Sequence, residues 1–327
     1  MSGATLSRPC DGAPLPRVLE TVSNARTMQL NRLIAALLAV LVLAAAAPAG
    51  ARQSAYGSAP LVRLDSNRPA VLVTINEQGP FLFVVDTATT NTVLSPMLRD
   101  RLRAPQLPGP PVEVVSAAGS VRSHYYRVAE ISVAGVTVEG GRAVVIAVPE
   151  ETGVMGILGA EYLSNFKVDL DMRARRMTLY PDRAPLQPEG FMRVQGTLTE
   201  HGIIVVPARV DNTRVSAAFD SGGRHTIANT WLAAAANKLV GGRARNQDTW
   251  VRDAADMRYT GVTEGFARIS VGPANWYDAE VLISDIRVFD KIGHGTKPVI
   301  FIGMDLMSNR RVIIDYAGAS LWLSRYD

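Results

Sequence analysis

Cysteine is nearly absent from this 327-residue chain: Cys10 is the only one, and it lies in the N-terminal leader. Downstream of the leader the sequence therefore offers no disulfide, no thiol nucleophile and no zinc–thiolate site. The four histidines (His124, His201, His225, His294) lack metal-ligand spacing, and no HExxH occurs, so no metal or other cofactor is expected. No run of Lys and Arg stands out either. The formal charge of +4 falls to +2 once residues 1–51 are set aside, because four arginines there face only two acids. Nucleic acid is accordingly not an expected partner. Glycine-rich pieces such as GVMGILGAE are not followed by GK[ST], which excludes a phosphate loop, and Ser221 lacks a GxSxG context.

What is present starts with the leader. Arg32 precedes an apolar run, Leu33 to Ala47, that closes on Ala49-Gly50-Ala51, a small-x-small cleavage pattern. The run is short for a bilayer span of about 20 residues. A leader over residues 1–51 that includes a signal peptide is expected, with Met28 as an alternative start and an uncleaved anchor as the alternative reading. The product would be exported (periplasmic or secreted), with no membrane contact after leader removal. Composition beyond that is ordinary for a globular protein, with 47% hydrophobic and 20% charged residues. The length allows two domains or one large all-β unit.

Short β-branched runs alternate with Gly, Pro, Asp and Asn turns, so strands are expected throughout. The sequence also repeats itself. PFLFVVDTATTNTVLS matches RVSAAFDSGGRHTIAN at an offset of 134 residues, placing Asp86 on Asp220, Thr87 on Ser221 and Ser95 on Asn229. Ser95 and Asn229 are good helix N-caps. A second block, GILGAEYLSNFKVDLD, matches FIGMDLMSNRRVIID at an offset of 144, placing Gly159 on Gly303 and Asp171 on Asp315. Asp171 and Asp315 precede hairpin turns and read as turn formers. The expected organisation is a leader (1–51), a linker (52–59), a first lobe (60–182), a Pro-rich linker (183–190) and a second lobe (191–327).

Asp86 ends an apolar run, where an unpaired carboxylate is costly. A turn-capping role would account for one such acid, but it need not recur. Two acids that meet across a pseudo-twofold axis must recur. Two carboxyls about 3 Å apart share one proton, and such a pair activates water by general acid–base catalysis.

Asp-Thr/Ser-Gly after an apolar strand, followed downstream by ILG (157–159) or FIG (301–303), resembles the pepsin-like and retropepsin-like aspartic peptidases. The resemblance covers about residues 60–327. It implies an all-β bilobal acid-protease fold of two homologous β-barrel lobes with a cleft between them. It also implies Asp86 and Asp220 as catalytic acids, with Thr87, Ala88, Ser221 and Gly222 supporting their loops. Thr90, Asn91, Arg224, His225, Ala118 and Gly119 are candidates for the substrate cleft, and Ala117–Ser120 for a hairpin flap with a weaker counterpart at 254–259. Ala88 stands where the family has glycine, which would strain a loop that needs positive φ. The expected protein is a monomeric, exported endopeptidase acting on extended polypeptide. The alternative is a retropepsin-like peptide-binding protein that is weak or inactive as a catalyst.

Overall fold

The computed structural model describes residues 56–115, 119–148, 153–238, 249–252 and 258–324. The leader, Ala118 and most of 254–259 lie outside the described residues. Strand makes up 53% and helix 11% of the structure, arranged as two closed six-stranded barrels.

In the first half, Pro69–Ile75 and Gln78–Val85 form a hairpin in which Val71, Val73 and Ile75 together with Phe81, Phe83 and Val85 supply the barrel's apolar lining, while Ala70 and Val84 pack on the opposite face. Val154–Leu158 runs parallel to Gln78–Val85 and antiparallel to Val93–Leu94. Val136–Val145 and Tyr125–Val133 follow, and the pairing Val73↔Val133 closes the ring. The second half repeats this order strand for strand. Ile204–Val210 and Thr213–Phe219 form the hairpin, Val299–Ile302 lies parallel beside it, and Ile227–Ala228 comes next. Ala274–Ile283 and Arg258–Val271 complete the set, and Arg209↔Ser270 closes it.

Both expected caps form. Ser95 Oγ accepts from Leu98 N at 3.1 Å at the start of helix Pro96–Leu102, and Asn229 Oδ1 accepts from Leu232 N at 3.0 Å at the start of helix Thr230–Ala235. Each side chain satisfies a donor that the first helical turn leaves unpaired.

A third, six-stranded sheet joins the halves. Its centre is the antiparallel pair Phe166–Asp171 and Arg311–Asp315, one strand from each half. The register sets Lys167 opposite Asp315 and Asp171 opposite Arg311, the same contact made twice under the 144-residue offset. Lys167 Nζ lies 3.1 Å from Asp315 Oδ1, with both side chains buried, while Arg311 grips Asp169 through Nε at 2.9 Å and Nη2 at 2.6 Å. Asp171 and Asp315 also form their turns, accepting from Ala174 N at 2.8 Å and Gly318 N at 2.9 Å. Turn formation was readable from one strand alone; the cross-half pairing needed the register.

Candidate active site

Each acid stands immediately after a barrel strand, where its backbone still pairs with the parallel neighbour. Asp86 N donates to Leu158 O at 3.1 Å and Asp220 N to Ile302 O at 2.9 Å. That neighbour must then pass close behind the acid's own loop. A Cβ on Gly159 would sit 2.3 Å from Asn91 O, and one on Gly303 would sit 2.5 Å from His225 O. The repeated glycine is therefore a matter of space.

The two loops interlock through their hydroxyl residues. Thr87 Oγ1 donates to Phe219 O at 2.6 Å and accepts from Ser221 N at 3.2 Å. Ser221 Oγ donates to Val85 O at 2.7 Å and accepts from Thr87 N at 3.2 Å. Every bond crosses between halves, and both side chains are buried. Alanine at either position would leave buried N–H and C=O groups unpaired, a cost of about 1–3 kcal/mol.

This grip brings the acids together. Asp86 is 4% exposed, and a Cβ on Gly222 would lie 2.1 Å from Asp86 Oδ2. Gly222 is thus required by the carboxylate of the opposite half. Ala88 and Gly222 both lie outside the positive-φ region, so the strain foreseen for an alanine does not arise. The Ala88 N–H donates to Asp86 Oδ1 at 2.9 Å, and its methyl packs on the cluster of Ile203, Ala218 and Phe301.

The carboxyls have unequal surroundings. Asp86 accepts from Ala88 N and from Thr89 Oγ1 at 2.7 Å; Asp220 accepts from Gly223 N at 2.8 Å. Thr89 and Gly223 correspond under the 134-residue offset, so the second acid lacks the hydroxyl that serves the first. Burial raises the pKa of Asp86 against the pull of these bonds. Asp220 is pushed up to about 8, by burial first and then by the charge of Asp86. The donors favour ionisation of Asp86 over that of Asp220.

The remaining candidates spread outward. Thr90 Oγ1 donates to His201 O at 2.7 Å and Asn91 Nδ2 to Tyr125 Oη at 3.2 Å, tying the first loop to its surroundings. Arg224 is exposed and His225 half-buried. Burial lowers the His225 pKa, opposed by Asp305. Val112–Val115 and Ser120–Ser123 pair as a hairpin at the expected flap, with Gly119 buried at its end. Its Glu113 lies 3.6 Å from Lys291 of the second half, a contact that spans the two lobes.

Sequence reasoning did not single out Thr89, Gly223, Arg68 or Tyr316. Thr89 against Gly223 was visible as a mismatch within the repeat. Arg68 and Tyr316, both buried near the pair, become visible only through register and packing.

Residues 71–162 match the family model described as "Aspartyl protease". Among curated proteins, none matches the chain.

Proposed function

From a chain whose residues 71–162 match the aspartyl protease family model, we propose an exported aspartic endopeptidase that hydrolyses extended polypeptide. One observation carries the reading: two acids, Asp86 buried and Asp220 half-buried, one from each half, meet in interlocked loops with their protonation states pushed apart. Pairs of acids in unequal environments divide the roles of base and acid.

In the proposed reaction Asp86 takes a proton from water as the water oxygen bonds to the peptide carbonyl carbon. Asp220 gives its proton to the carbonyl oxygen. Collapse of the tetrahedral species breaks the C–N bond as the proton on Asp86 passes to the leaving nitrogen. A proton from the diol returns to Asp220. The carboxyls end as they began, and no covalent enzyme intermediate forms. The paired strands Val112–Val115 and Ser120–Ser123 offer an edge on which an extended segment can pair its backbone, which selects unfolded substrate. Export rests on Arg32, the Leu33–Ala47 run and Ala49-Gly50-Ala51.

Turnover of a denatured polypeptide by wild type, Asp86→Asn, Asp220→Asn and the double variant tests this. Each single variant should lose nearly all activity, and the double should be scarcely worse, because the acids act as a unit. A single variant with wild-type turnover would refute the shared mechanism. Peptide binding without turnover at any pH from acidic to neutral would favour a non-catalytic binder.

A further inference from the structure

The acid pair places net negative charge in a buried site, where charge is normally compensated. Continuing the Ala70↔Val84 register by two residues sets Arg68 level with Asp86. Extending Val206↔Ala217 by three residues sets Ile203 level with Asp220. The first acid thus has a cation across the hairpin, while the second has a buried isoleucine, 2% exposed.

Arg68 is itself only 6% exposed, a rare condition for arginine. The turn before it fixes its direction. Asn67 sits at φ 65°, Asn67 N donates to Leu64 O, and Leu64 N donates to Arg68 O. Arg68 Nε then donates to the buried Ser66 Oγ at 3.0 Å.

We propose that Arg68 is the resident counter-charge of the acid pair, a positioning residue that stabilises one negative charge shared by Asp86 and Asp220. The consequence for turnover rests on the peptidase reading; the electrostatic role does not. The Arg68 charge favours ionisation of both carboxyls, against the burial that opposes it. Other groups facing the pair act differently. The buried Tyr316 hydroxyl is raised in pKa by burial and then by the Asp86 charge, so it stays neutral beside it. Arg224 and His225 stand farther along the second loop, exposed and half-buried. One cation thereby serves two acids and biases the charge toward Asp86. It extends the range over which one acid is ionised while the other is protonated down to lower pH.

The test is a substrate-free titration of the aspartate carboxyls by carbon-13 NMR in wild type, Arg68→Gln and Arg68→Lys. In Arg68→Gln both carboxyls should titrate at higher pH, and in Arg68→Lys close to wild type. A carboxyl titrating one pH unit higher is about tenfold less ionised on the acid side of its midpoint. The acid limb of the pH–rate profile should therefore move up with it. Unchanged titrations in a folded Arg68→Gln protein would overturn the proposal, as would Arg68→Lys behaving like Arg68→Gln. If Arg68→Gln does not fold, Ser66→Ala frees the guanidinium instead; the same upward movement is expected, and no movement overturns the idea. Titrations as expected in a protein that never hydrolyses polypeptide would sink the peptidase reading and leave this role standing.

Discussion

Asp220→Asn removes a proton-binding site whose ordinary pKa of 3.8 is lifted to about 8 in the folded chain. Between those values the folded protein holds a proton that the unfolded chain has released. Stability therefore falls as pH rises across that window. At pH 7 the wild-type penalty reaches a ceiling of about 4 kcal/mol, at about 1.4 kcal/mol per pH unit. Asp220 is not wholly shielded from solvent, so the realised value lies below that ceiling. Asparagine keeps the size and can still accept from Gly223 N, but it carries no charge to bury. The variant should melt higher than wild type at pH 7 and approach it near pH 4. A gain of 1 kcal/mol corresponds to about 2 °C or more for a protein of this size. Thermal melts at half-unit pH intervals from 4 to 8 provide the measurement. A variant whose melting temperature runs parallel to wild type across the window would show that Asp220 is ionised in the folded state, and the division of roles would collapse.

The remaining expectations need less argument. Gly222→Ala should cost about 1–3 kcal/mol and nearly all activity, because its methyl would overlap the Asp86 carboxylate. Ala88→Gly should cost about 1 kcal/mol through added chain freedom and leave activity within a few-fold of wild type. Melts and turnover compare the two, and equal effects would refute the asymmetry. Thr87→Val should cost about 1–3 kcal/mol, since Phe219 O and Ser221 N lose a buried partner; denaturant unfolding measures it, and an unchanged midpoint would count against the interlock. Sequencing the exported protein should give an N-terminus immediately after Ala51, whereas a cytoplasmic protein starting at Met1 or Met28 would end the export proposal.

The bilobal architecture was legible because a twofold repeat is written in one dimension: Asp86 on Asp220 and Gly159 on Gly303 need only a constant offset. The same offset held the unequal hydroxyl supply, since Thr89 falls on Gly223, but the meaning of that mismatch emerges only when each donor is seen on its own carboxylate. Ala88 was suspected for its backbone, whereas the glycine requirement at the matching position is steric and comes from Asp86 of the opposite half. Arg68 was out of reach altogether. Its partner in register lies 18 positions downstream in the chain, and nothing short of the hairpin pairing marks it as inward-facing. Local chemistry reads well from sequence; contacts made by folding one strand onto another do not.

Lys167 with Asp315, and Asp171 with Arg311, make the second half's docking strand complementary to itself as well as to its sibling, whereas in the first half Asp169 would face a second Asp169 without Arg311. The second half released from the rest would thus find another copy of itself an acceptable mate, and such a pair would carry two Asp220 loops. The covalent connection through 183–190 settles the competition. It holds the correct mate at an effective concentration of about a millimolar or more, above the free concentration of any dilute protein. Joining Thr89's hydroxyl to one acid and Gly223's bare backbone to the other is useful only if like never docks with like. The tether makes heterologous assembly a first-order event, indifferent to dilution, and so permits the two halves to diverge.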